Sequence, residues 1–151
     1  MAHHSYEVIR ALKDRVEKEA ELSAKLLAHA IGTEEEAKSR FALLDQYRQR
    51  YLQTFNAAMA SGLGNELYQN FQSFLSKLND AIETQKKVVA SATDKVMQHQ
   101  SQWQNLQKKK LSYEVLTKRA DQQMQMAAKK QDQKLMDEYA ARMTRNNVMA
   151  W

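Results

Sequence analysis

A chain without helix breakers can reverse only where it carries the residues for a turn, and this one is nearly free of them. No proline occurs among its 151 residues, and its three glycines are Gly32, Gly62 and Gly64. Proline's missing N–H and ring clash interrupt helices, whereas glycine supplies the backbone freedom that a reversal uses. Two of the glycines fall together in Ser61-Gly62-Leu63-Gly64-Asn65. One clear turn therefore separates two long helical stretches. This punctuation predicts an all-α helical hairpin forming a single domain over residues 1–151, with helix 1 over about 5–60, a turn at about 61–65 and helix 2 over about 66–145. At 1.5 Å per residue the helices span roughly 85 and 120 Å, so the arms are unequal.

The 43% hydrophobic fraction rests on plentiful alanine and methionine, and aromatics make up only 8%. Such a chain buries narrow seams between helices rather than a thick core. Cysteine is absent, which removes disulfides, thiolate metal sites and cysteine nucleophiles and fits a reducing, cytoplasmic setting. No stretch approaches the length of apolar sequence that crosses a membrane, and Met1-Ala2-His3-His4-Ser5-Tyr6-Glu7 lacks the apolar core of a secretory signal. Residues 1–60 hold nine Lys/Arg and nine Asp/Glu, whereas residues 61–151 hold fourteen and nine, so the second half carries the whole net charge of +5. The excess concentrates from Lys108 onward, as a solvated helix face or a docking surface.

A heptad seam can be drawn in the first helix through Ile9, Leu12, Val16, Leu26, Ala30, Ala37, Leu44, Tyr47 and Tyr51, with Glu19, Ser23, Thr33 and Arg40 as polar members. Gly32-Thr33-Glu34-Glu35-Glu36 has the spacing of a capping box. A break there would favour three helices, but the unbroken apolar stripe favours one. Asn65 can cap the second helix, with Glu66 in its first turn. Its seam passes through Phe71, Phe74, Leu78, Ala81 and Gln85 to Val89, where two successive four-residue steps predict a stutter. It resumes through Ala92, Val96, His99, Trp103, Leu106, Tyr113, Ala120, Met124 and Ala127.

No constellation for catalysis emerges. A nucleophile with its base and a glycine-rich phosphate loop are both missing, so no enzymatic activity and no cofactor are expected. His3 and His4 belong to an unstructured terminus, no residue set has the spacing of a closed metal site, and His99 reads as a seam residue whose polar nitrogen reaches the helix edge. Asp137 and Glu138 are helix neighbours pointing about 100° apart, unable to converge on one atom. Acidic residues interrupt the basic clusters and no nucleic-acid motif is present, so no nucleic-acid partner is expected. Tyr47, Tyr51, Phe71 and Phe74 flank the turn and meet near it. Core packing is the plainer reading of these aromatics, and a partner-docking surface is the sharper one.

Several segments together resemble the FliJ family of flagellar export proteins. They are Leu12-Lys13-Asp14 followed by Glu17-Lys18-Glu19, Leu44-Asp45-Gln46-Tyr47 with Tyr51, Asn70-Phe71-Gln72-Ser73-Phe74-Leu75 with Leu78, Ala81 and Ile82, and Asp132-Gln133-Lys134-Leu135-Met136-Asp137-Glu138-Tyr139-Ala140-Ala141-Arg142. The resemblance implies a long antiparallel two-helix coiled coil, similar to the central stalk of F-type ATPases, that serves flagellar type III secretion and motility. It implies a protein that is a monomer in isolation, cytoplasmic, and peripheral at the inner-membrane face through protein partners. Those partners are the export ATPase hexamer, whose assembly and activity it promotes, the cytoplasmic domain of the export gate, and export chaperones that it escorts. Matching positions imply ATPase binding by Leu12, Lys13, Val16, Gln133, Lys134, Met136, Asp137, Glu138 and Arg142. They imply gate binding by Leu44, Tyr47, Tyr51, Phe74, Leu78 and Ala81. Arg40 and Gln85 depart from the family's gate-facing pattern, where an uncharged polar residue and a histidine are expected. The alternative is a passive structural tether, a parallel homodimeric coiled coil joined through its seam.

Overall fold

The computed structural model describes the backbone of residues 2–149 and the side-chain surroundings of residues 4–148. Two helices, α1 (Ala2–Ala60) and α2 (Asn65–Met149), account for nearly all of it. They pack against each other as an all-α antiparallel hairpin, and no strand occurs among the described residues. Helix α1 runs through Gly32 without a break. The Thr33 hydroxyl donates to the His29 carbonyl one turn back (3.1 Å) instead of capping a new helix. Glu34 and Glu36 point forward to Lys38 (3.5 Å) and Arg40 (2.8 Å), so the apparent capping box is a run of ordinary i,i+4 pairs.

The reversal is made by the second and third glycines. Gly62 adopts φ +87°, a conformation that costs a residue with a Cβ about 1–2 kcal/mol. Its N–H donates to the Met59 carbonyl (3.2 Å), while the Ser61 N–H donates to the Ala57 carbonyl (3.2 Å), closing the end of α1. The first helical bond of α2 runs from the Tyr68 N–H to the Gly64 carbonyl (3.0 Å). Gly64 is therefore the N-cap and Asn65 the first helical residue, so the cap lies one position earlier than the sequence suggested. Glu66 still occupies the first turn, where its charge favours the exposed N–H groups.

The least exposed positions of α1 follow an unbroken alternation of three- and four-residue steps: Tyr6, Ile9, Lys13, Val16, Ala20, Ser23, Leu27, Ala30, Glu34, Ala37, Phe41, Leu44, Arg48, Tyr51, Phe55 and Ala58. Half of the expected seam is thus replaced by its next-door neighbour. Leu12, Glu19, Leu26, Thr33, Arg40 and Tyr47 face solvent, and Lys13, Ala20, Leu27, Glu34, Phe41 and Arg48 take their places. Helix α2 behaves likewise, from Phe71, Leu75, Leu78, Ile82, Gln85, Val89 and Ala92 onward to Met124. Leu75 and Ile82, not Phe74 and Ala81, hold the seam, so the predicted stutter is absent. Ile82 is the most enclosed of the core residues, 2% exposed.

Two compact units divide the hairpin. Unit 2, Leu22–Gln104, contains the turn and is cored by Ala30, Ala37, Leu78, Ile82 and Ala92. Within it the Gln85 amide crosses to the Ala37 carbonyl (3.0 Å). Unit 1 joins the start of α1, up to Glu21, to α2 from Asn105 onward, with Val16 and Ala20 buried. In this unit α2 outlasts its cover. Every residue from Gln125 through Val148 is exposed, a bare helical extension roughly 36 Å long at 1.5 Å per residue.

Gly32 is helical and a Cβ added there meets nothing within 4 Å. Gly32→Ala is expected to stabilise the chain by about 0.5–1 kcal/mol by reducing backbone entropy in the unfolded state. Gly62→Ala is expected to destabilise it by about 1–2 kcal/mol. Urea midpoints at constant m-value test both. Truncation after Met124 removes no buried residue among those described, so the thermal midpoint of the remaining hairpin should move little while the helical ellipticity falls with the residues lost.

Candidate partner-docking surfaces

Near the turn, in unit 2, aromatic rings from both helices form a continuous cluster. Tyr51 lies 4.6 Å from Phe74 and 5.3 Å from Phe71, Phe55 lies 5.3 Å from Phe71 and 5.9 Å from Tyr68, and Tyr47 meets Phe74 edge-on at 6.2 Å. Ring pairs of this kind contribute about 0.5–1.5 kcal/mol each beyond the area they bury. The cluster is only half covered. Tyr47 is 50% and Phe74 39% exposed, and an open groove of about 450 Å³ runs between Tyr47, Tyr51, Leu67, Asn70, Phe71 and Phe74.

The six residues matched to gate binding divide in two. Leu44 and Tyr51 lie half-buried on the seam and Leu78 is buried, whereas Tyr47, Phe74 and Ala81 face solvent. Leu44 and Tyr47 also line a second open notch with Leu43 and Arg50. Leu67 belongs to the groove but was not singled out from sequence, because the first turn of α2 precedes its heptad pattern, and Asn70 entered only as part of a matching segment. Of the two departures from the family pattern, Arg40 pairs with Glu36 on its own helix and Gln85 bonds across the seam to Ala37.

The residues matched to ATPase binding all fall in unit 1 but not in one environment. Leu12 is exposed, Lys13 half-buried and paired with Glu17 (3.9 Å), and Val16 buried, all within the covered part of α1. Gln133, Lys134, Met136, Asp137, Glu138 and Arg142 lie on the bare extension. No residue of that extension is buried, so nothing on α1 packs over it. Leu135, Tyr139 and Met143 succeed one another at four-residue spacing there, all exposed. They make an apolar edge beside Met136, itself 72% exposed. Periodicity could have identified this edge, but its lack of cover needed the structure. No residue from Lys108 onward takes part in an ion pair among the described residues.

Among the described residues no group of three or more His, Cys, Asp or Glu could hold a metal ion; the side chain of His3 lies outside them. His99 is half-buried, and its Nδ1 is enclosed without a hydrogen-bond partner. No helix among the described residues is long and apolar enough to cross a membrane.

The Tyr51 phenol is held above its ordinary value of 10.0, first because burial strips water from the phenolate and second because Tyr47 would place a like charge beside it. A raised value means that the folded chain keeps this proton when the unfolded chain has lost it. Stability from this group is complete below pH 10 and falls as pH rises through the folded value. Tyr51→Phe, which retains the ring contacts, is expected to flatten the loss of stability above pH 10. Urea titrations across the alkaline range measure it.

Comparison with known proteins agrees with this architecture. The family described as Flagellar FliJ protein matches residues 3–148. The flagellar FliJ proteins of Salmonella typhi and Escherichia coli strain K12 are each 29% identical over 142 residues, covering 94% of this chain and 95% of each relative. No solved structure matches the chain significantly. With a match across nearly every described residue, from the start of α1 through the bare extension, the chain belongs to the flagellar FliJ protein family.

Proposed function

We propose that this chain, a flagellar export component by family, is a cytoplasmic accessory of the type III export apparatus that acts by docking and performs no catalysis of its own. Its terminal extension binds the export ATPase ring and promotes ring assembly and hydrolysis. The aromatic groove near the turn engages the cytoplasmic domain of the export gate, and the same hairpin escorts unloaded export chaperones. The observation that carries this reading is the extension from Gln125 to Val148, helical and wholly exposed, with an apolar edge at Leu135, Tyr139 and Met143. An exposed apolar edge flanked by unpaired lysines and arginines suits a protein partner that contributes both apolar contacts and acidic groups.

The division of the aromatics supports the second contact. Tyr47 and Phe74 can reach a partner without opening the seam, whereas Tyr51 and Leu78 hold the helices together. A passive parallel homodimer joined through the same heptad positions is less favoured. Those positions already face one another within the hairpin, so dimerisation would first have to unpair α1 from α2.

Turnover of the purified export ATPase with and without this chain tests the first contact. The double substitution Met136→Ala, Asp137→Ala should reduce stimulation by at least about tenfold, the scale of one or two lost interface anchors, with helical ellipticity and thermal midpoint unchanged. Undiminished stimulation would remove the terminal contact. Tyr47→Ala with Phe74→Ala should weaken binding to the isolated gate domain by a similar factor and leave ATPase stimulation intact. Light-scattering mass at several concentrations should give one chain per particle.

A further inference from the structure

Within unit 2, small side chains leave a cavity of about 340 Å³ between the helices. Leu26, Ala30 and Ala92 form apolar walls, while His29, Lys95 and His99 bring nitrogen groups to the same space and no carboxylate lines it. Thr33 also lines it, but its hydroxyl proton is donated to the His29 carbonyl. The Lys95 ammonium forms neither an ion pair nor a hydrogen bond with any described residue, and the Nδ1 of His99 is enclosed without a partner.

These features belong together chemically. A single water cannot reach the enclosed Nδ1, so Nε2 is the nitrogen of His99 that a ligand in the cavity can meet. The cavity has room for about ten waters at about 30 Å³ each, and it reaches the lower end of the size range of ligand pockets. Its polar inventory is one fixed positive charge and two imidazoles with no counter-charge, a donor set that suits an anion. We infer that this cavity is a binding site for a small oxyanion of the phosphate type, held by the Lys95 ammonium and the His99 imidazole on α2 and by His29 on α1. Bound there, the anion ties the two helices together at the level of Ala30 and Ala92. This inference is independent of the docking contacts with the ATPase and the gate.

The test uses the full chain with labelled histidines, titrated with sodium phosphate against sodium chloride at matched ionic strength and fixed pH. Imidazole resonances are assigned through His29→Gln and His99→Gln. Saturable shifts of His99 and His29 are expected with phosphate and not with chloride. Lys95→Gln should weaken the phosphate dissociation constant at least about tenfold, the scale of one lost charge-assisted hydrogen bond. Lys95→Arg should retain binding, and Lys86→Gln, which removes an ion-paired lysine outside the cavity, should leave it unchanged. Phosphate should also raise the thermal midpoint of the unaltered chain through binding to the folded state, by more than it raises that of Lys95→Gln, since general salting effects act on both. Shifts that stay linear, that chloride reproduces, or that persist undiminished in Lys95→Gln would overturn the site.

Discussion

One narrow seam holds this protein together, and its regularity governs what the molecule can do. On both helices the least exposed positions alternate strictly by three and four residues, the heptad spacing that keeps two helices in contact over many turns. Half of the buried members are alanines, beside Val16, Ser23, Leu78 and Ile82, so the helices approach closely but enclose little. Such a seam leaves most of each helix surface to solvent. The molecule's functional possibilities lie on faces, edges and small gaps along the seam.

Polar residues within the seam set the register at some cost to stability. Gln85 spends its amide on the Ala37 carbonyl (3.0 Å), a bond that a one-heptad slide would break. A polar pairing of this kind specifies alignment where apolar residues alone would tolerate several. Lys13, Glu34 and Arg48 also sit at seam positions and remain only half-buried, and Lys13 and Glu34 each pair with an opposite charge on their own helix. Ser23 Oγ, Asn79 Oδ1 and His99 Nδ1 are enclosed without partners, and these are the places where the seam is least satisfied. The cavity beside His99 belongs to that weakness: small residues opposite one another leave space that close packing elsewhere removes.

The topology was legible because proline and glycine act locally, and Gly62 and Gly64 turn the chain as their neighbours suggest. The facing of individual residues was less legible. Phe74 and Leu75, Ala81 and Ile82, Leu26 and Leu27 are adjacent apolar pairs, and local periodicity fits either member. Choosing Phe74 and Ala81 forced a stutter, whereas Leu75 and Ile82 keep the alternation intact through to Met124. The same ambiguity misplaced Tyr47. Thr33 and Glu36 matched a capping motif whose spacing also occurs within an uninterrupted helix, where a hydroxyl can bond four residues back. For the candidate surfaces, the meeting of Tyr51, Phe71 and Phe74 followed from the turn. The exposure of Leu135 and Tyr139 did not, because it depends on where the partner helix ceases to cover α2.

That bare extension raises a physical question that the packed part does not. A separate helix of this length would be marginal in water, because starting a helix is costly. Here the helix is already nucleated, since residues 125–148 continue α2 out of its paired region without a break. Each further residue needs only to propagate, and the segment is rich in alanine, lysine, glutamine and methionine, which propagate well. The folded hairpin therefore acts as a template that presents an ordered apolar edge before any partner arrives. A partner that binds it avoids much of the ordering entropy that a disordered tail would impose. The heptad seam would contribute to the proposed docking in this indirect way, by holding in register the helix whose uncovered end presents the apolar edge.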